Sequence, residues 1–111
     1  MKEQKQQPKV DPPAHLSERA QGIWREVVPR RARSPERLVL LQVALEALDR
    51  ADAARRAIDE EGLTRITRTT GAVHMHPLTK VEADARRLFA SLWHDLALQW
   101  DSSLDGQYRG A

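Results

Sequence analysis

Two histidines spaced two apart, His74 and His76, are the first residues in this chain whose type and spacing could do chemistry. On a strand both rings would face one side, the arrangement that offers two imidazole ligands to a metal ion. A third ligand with its own spacing logic is missing, so the pair reads as near-surface or turn-stabilising histidines and no metal is expected. Asp59, Glu60 and Glu61 form a run of three acids. They fall at the C-terminal end of a helical stretch, where each uncompensated acid costs about 0.3–1 kcal/mol against the helix dipole. They read as solvated, or as partners for Arg65 and Arg68 or for a neighbouring subunit's arginines, rather than as catalytic carboxylates. The chain has no cysteine, hence no thiol nucleophile, disulfide framework or cysteine zinc site. It shows no nucleophile–base pairing, no glycine-rich phosphate loop and no Walker lysine. The expectation is a protein that is not an enzyme and needs no cofactor.

Arginine is the more informative residue type. Arg30, Arg31, Arg33 and Arg37 cluster on a connector and at a helix start, where backbone amides also suit an anion. Arg65 and Arg68 form a second cluster, beside the hydroxyls of Thr64, Thr67, Thr69 and Thr70. Such surfaces contact phosphates without reading base sequence. The net charge of +2 is unevenly spread. Residues 1–37 carry nine Lys/Arg against five Asp/Glu; residues 38–62 carry three against six; residues 63–80 carry three bases and no acid. Separated blocks suit a chain that meets a polyanion and also meets itself, although solvated faces would have the same composition. Double-stranded DNA is the expected polyanion.

The elements that must hold these residues follow from periodicity. Residues 1–14, rich in Lys, Gln and Pro, read as a disordered tail. Ser17 and Glu18 start an amphipathic helix carrying Ala20, Ile23, Trp24, Val27 and Val28, which Pro29 is expected to end. Ser34-Pro35-Glu36 is a strong helix start: an N-cap, a proline at the first helical position and an acid in the first turn. This helix can run to Glu61, with Gly62 as its stop, a length of about 40 Å. Residues 63–76 change to a two-residue period and read as a β-hairpin with a Thr69-Thr70-Gly71 turn. A last helix runs from Leu78 and fades near Gln99. Residues 101–111 read as a flexible tail. The domain therefore spans 15–100. The proline- and arginine-rich connector after the first helix argues against a DNA-binding helix-turn-helix.

The long helix has two apolar stripes. Leu38, Leu41, Leu45 and Leu48 form one; Ala44, Ala47, Ala51, Ala54 and Ile58 form the other, rotated by roughly 120°. The expected fold is mainly α: a short N-terminal helix plus two long antiparallel helices joined by a β-hairpin. Either the first helix or another subunit covers the second stripe. Ala44, Ala47, Ala51, Ala54 and Ile58 are accordingly the candidate oligomer interface, and a homo-oligomer in the form of a ring is expected. Nothing approaches a membrane-spanning apolar run and no signal core opens the chain, so a cytoplasmic protein with no membrane partner is expected.

The order of segments adds a resemblance. Pro13-Ala14-His15-Leu16-Ser17 is followed by Ile23-Trp24-Arg25-Glu26-Val27-Val28-Pro29. A long helix then closes on Glu60-Glu61-Gly62-Leu63, a threonine-rich hairpin closes on His76-Pro77-Leu78, and a final helix holds Leu88. Over residues 12–97 this resembles the short phage terminase small subunits that carry a β-hairpin between two helices. The resemblance implies a ring-forming protein that engages viral DNA in the host cytoplasm. It also implies a role in regulating the large subunit, which carries the ATPase and nuclease of genome packaging. The chain departs from the family after the last helix, where Trp100-Asp101-Ser102-Ser103 stands in place of a segment leading to a basic tail. The alternative from another class is a helical protein–protein adaptor or inhibitor without DNA binding.

Overall fold

A computed structural model of the chain describes residues 10–66 and 70–96. The expectations placed on residues 1–9, the side chain of Arg65, Thr67, Arg68, Thr69 and residues 97–111 lie outside what is described. The fold is mainly helical. The elements are α1 (Glu18–Arg31), α2 (Pro35–Glu61), β1 (Thr64–Ile66), β2 (Val73–Met75) and α3 (Leu78–Asp95).

Local chemistry sets most of these bounds. Ser17 Oγ accepts from the Ala20 amide at 3.1 Å and caps α1. Ser34 Oγ accepts from the Arg37 amide at 3.3 Å and caps α2, with Pro35 in the first turn. Gly62 ends α2 with φ +92°, a value only glycine adopts without strain, and its amide donates to Ile58 at 2.7 Å.

Pro29 does not end α1. The helix continues through it to Arg31. Proline removes one hydrogen bond, to the Arg25 carbonyl, and that carbonyl lies on an exposed residue. Val28 and Ala32, on either side, are buried in the core, and Arg30 and Arg31 suit the negative end of the dipole. Packing thus outweighs the local rule.

Residues 10–14, expected as part of a disordered tail, are held against α1. The Trp24 indole N–H donates to the Val10 carbonyl at 2.8 Å, and Gln21 Nε2 donates to the Leu16 carbonyl at 3.0 Å. A buried indole needs an acceptor, and Pro12-Pro13 lowers the entropy lost in supplying one.

The helices pack α1 on α2 and α2 on α3. Arg55 of α2 pairs with Glu82 of α3 at 3.5 Å, Asp52 lies 3.8 Å from Arg86, and Arg37 reaches Leu96. Positions that rise along one helix fall along the other, so α2 and α3 run antiparallel. Leu41, Leu45 and Leu48 of α2 join Leu16, Ala20, Trp24, Val27, Val28 and Ala32 in one core, which Leu96 closes. Phe89 and Trp93 flank it with ring centroids 5.0 Å apart.

The second stripe requires a correction. Ala44, Ala47 and Ala51 are 0% exposed, Ala54 3% and Ile58 2%, all within the single chain. The small side chains let α3 approach α2 closely, and Ala85 of α3 is buried with them. These residues therefore hold the chain's own two long helices together and have no surface left for a second copy. Each stripe of α2 has its own intrachain cover: α1 for the leucines, α3 for the alanines.

Three acids of α2, Glu46, Asp49 and Asp52, are engaged by the N-terminal segment. Asp49 accepts from the Ser17 amide at 2.8 Å and from its hydroxyl at 2.6 Å, which places a carboxylate at the positive end of α1. Arg19 pairs with Asp52. Glu46 accepts from Gln42 and meets His15 at 2.7 Å, and these contacts, Gln42 first, hold its carboxyl below the usual value. A depressed carboxylate stabilises the fold above its unfolded pKa and loses that contribution as pH falls through the folded value. Glu46→Gln is therefore expected to flatten the stability curve below about pH 4.3, by at most about 1 kcal/mol. Urea midpoints measured between pH 3 and 7, about the ordinary glutamate range, check this.

Candidate nucleic-acid interface

The first arginine cluster sits where α1 hands over to α2. Arg30 and Arg31 occupy the last turn of α1, and Arg33 lies in the two-residue link before Ser34. All three are exposed. Arg30 lies 3.3 Å from Glu26 on its own helix, a surface pair of the kind that a phosphate readily replaces. Arg33 makes no hydrogen bond or ion pair among the described residues. Arg25, on the exposed side of α1 about 7.5 Å along the axis from Arg30, adds a cation that the motif reading did not single out.

Arg37 does not belong with them. Its Nε donates to the Arg31 carbonyl and its Nη2 to the Leu96 carbonyl. The guanidinium thus ties the end of α1 to the C-terminus of α3, where a cation also meets the negative end of the helix dipole. The two donors that a bidentate phosphate contact uses are already engaged, so the expected DNA role of Arg37 is replaced by a structural one. Arg37→Ala is expected to cost about 1.5–3 kcal/mol, the range for hydrogen bonds from a charged donor. Arg37→Lys should recover little of it, because an ammonium lacks the fork. Denaturation midpoints of the two variants check this, and duplex binding should follow the folded fraction alone.

The hairpin lies at the other end of α2. β1 and β2 pair antiparallel with Thr64 opposite Met75, Arg65 opposite His74 and Ile66 opposite Val73. Thr64 and Thr70 are exposed. Helix α2, 27 residues long, puts about 40 Å between the first cluster and the hairpin; the side chains of Arg65 and Arg68 lie outside the described residues.

The histidines divide. His74 is exposed in the middle of β2, whereas His76, one residue past the strand, is 3% exposed. His76 Nδ1 accepts from the Leu78 amide at 3.0 Å, which places the ring proton on Nε2, 2.7 Å from Glu61. The ring therefore caps the start of α3 and fastens it to the end of α2. The His76 amide closes the hairpin base on the Leu63 carbonyl at 2.7 Å. Among the three acids, Asp59 pairs with Arg55 at 2.9 Å and Glu61 with His76. On α3, Asp84 accepts from Lys80 and Arg87, which lower its pKa in that order. Asp59 and Asp84 are thus engaged in ion pairs, and Glu61 accepts a hydrogen bond from the His76 ring.

No helix of the described residues is long and apolar enough to cross a membrane. The described residues form a small, mainly helical fold with exposed arginines where α1 meets α2. The chain matches no protein-family model, no curated protein and no solved structure.

Proposed function

We propose that the chain is a small subunit of a phage terminase that engages double-stranded viral DNA and regulates a large ATPase/nuclease subunit during genome packaging. The observation that carries the reading is the exposed Arg30, Arg31 and Arg33 group at the α1–α2 link. The segment order read from the sequence, from Pro13 to Leu88, supplies the family. In this reading the protein acts as a homo-oligomer, because a single subunit's few cations bind weakly and repetition raises the effective concentration of contacts. The test is a titration of mixed-sequence duplex DNA with the full chain at several salt concentrations. Binding that weakens steeply with salt supports the reading. Absence of binding at low salt, with the oligomer intact, would favour a helical adaptor without a DNA role. One observation favours that second reading: Arg19, Arg37, Arg55, Arg86 and Arg87 all have intrachain partners, which reduces the basic surface on offer.

A further inference from the structure

Val39 and Val43, one turn apart on α2, are 62% and 37% exposed, and Leu88 of α3 is 40% exposed. At 100° per residue, the two valines stand roughly 160–200° around α2 from Leu41, which belongs to the core that α1 covers. Leu88 turns the same way. Phe89 and Trp93 pack against that core, and helical rotation sets Leu88 on the other side of the line through Ala85 and Leu96. By the antiparallel pairing of Asp52 with Arg86 and Arg37 with Leu96, Leu88 is level with the part of α2 between Val43 and Arg50. The three apolar side chains thus line one strip along the α2–α3 seam, on the face away from α1. Arg50, roughly 180° around α2 from Leu41, continues the strip. It is exposed and makes no hydrogen bond or ion pair among the described residues.

Contiguous apolar surface of this kind marks a contact, and the chain itself leaves at one end of it. Arg37, two residues before Val39, donates to the Leu96 carbonyl, so α3 ends within one side chain's reach of the strip. Residues 97–111 follow, with Leu98, Trp100, Leu104 and Tyr108 among them and Asp101 and Asp105 between. Val39 to Arg50 is about 17 Å along the helix. About five extended residues span that distance, so a turn after Leu96 leaves ample chain to run its whole length. The charges fall in the same order. Glu36 and Asp95, both exposed, border the near end, where the uncharged residues 97–100 would pass. Arg50 stands at the far end, five extended residues on from Trp100, where Asp105 falls. Tethering decides between this segment and a second copy. A segment held this close meets the strip at an effective concentration of about millimolar, above that of any free copy in a micromolar solution.

We propose that the C-terminal segment of this chain folds back along the α2–α3 seam as a strap, with Trp100 and Leu104 covering Val39, Val43 and Leu88 and Asp105 pairing with Arg50. The strap goes beyond the terminase reading and does not depend on it.

The chain has no cysteine, so a single introduced thiol reports on one place. The test alkylates full-length Val43→Cys beside the same chain with Trp100→Ser and Leu104→Ser. The strap should slow the reaction about tenfold relative to the chain with both serines, the effect of a site closed nine-tenths of the time. That slowing should not change on dilution. Arg33→Cys, exposed at the α1–α2 link and off the strip, should react equally fast with and without the serines. In a second measurement, Val43→Cys with Leu104→Cys should oxidise to a disulfide at the mass of one chain. Circular dichroism should show every variant folded. Equal rates at Val43→Cys with and without Trp100 and Leu104 would overturn the strap. Protection that fades on dilution, or oxidation to linked dimers, would give this face to a second copy and overturn it as well.

Discussion

Ala51→Glu is expected to unfold the chain rather than disassemble it. Ala51 is 0% exposed at the α2–α3 seam. A glutamate there must force the helices apart or leave a carboxylate in an apolar contact with no cation beside it. Overpacking alone costs about 1–3 kcal/mol, and an unpaired buried charge adds several more. A domain of this size has about 5–15 kcal/mol of stability in total. The loss should therefore exceed about 3 kcal/mol, visible as lost helical signal or a collapsed urea midpoint. Val39→Glu, on exposed α2, should stay within about 0.5 kcal/mol. An Ala51→Glu chain that keeps its midpoint and loses only its assembly would return the alanine stripe to the subunit interface.

The second large effect concerns DNA. Replacing Arg30, Arg31 and Arg33 by alanine should weaken binding to all duplex sequences alike. Each phosphate that is no longer neutralised should reduce the slope of log affinity against log salt by roughly 0.9. Three arginines per subunit, repeated around an oligomer, make this a change of orders of magnitude at physiological salt. Denaturation midpoints should hardly move, because all three side chains are exposed. An unchanged slope would mean that these arginines touch no phosphate.

What was legible in the sequence was local. Ser17, Ser34-Pro35 and Gly62 bound their helices because capping depends on residues within one turn. Both stripes of α2 could be read from the helical period, and both are buried except at the partly buried Leu38. Periodicity says which sides of a helix avoid water but not what covers them, so the alanine stripe passed for an intersubunit surface. Arg37 shows the same limit. Its Leu96 contact spans 59 residues of sequence, and nothing near Arg37 distinguishes it from Arg33. Trp24 and Val10 are a smaller case: the acceptor that orders the N-terminal segment is a backbone carbonyl, which has no sequence signature. Pro29 is the reverse, a clear local stop that core packing on both sides overrides. His74 and His76 looked equivalent by spacing, but the strand ends at Met75 and leaves only His76 at the hairpin base.

The central claim is that this chain meets duplex DNA as an assembly of identical subunits. Native mass measurement of the full chain, alone and with a short duplex at low salt, tests it most directly. The account predicts one closed assembly at a multiple of the subunit mass, and the same assembly plus one duplex when DNA is added. A monomer in both samples, with no species carrying DNA, would contradict it.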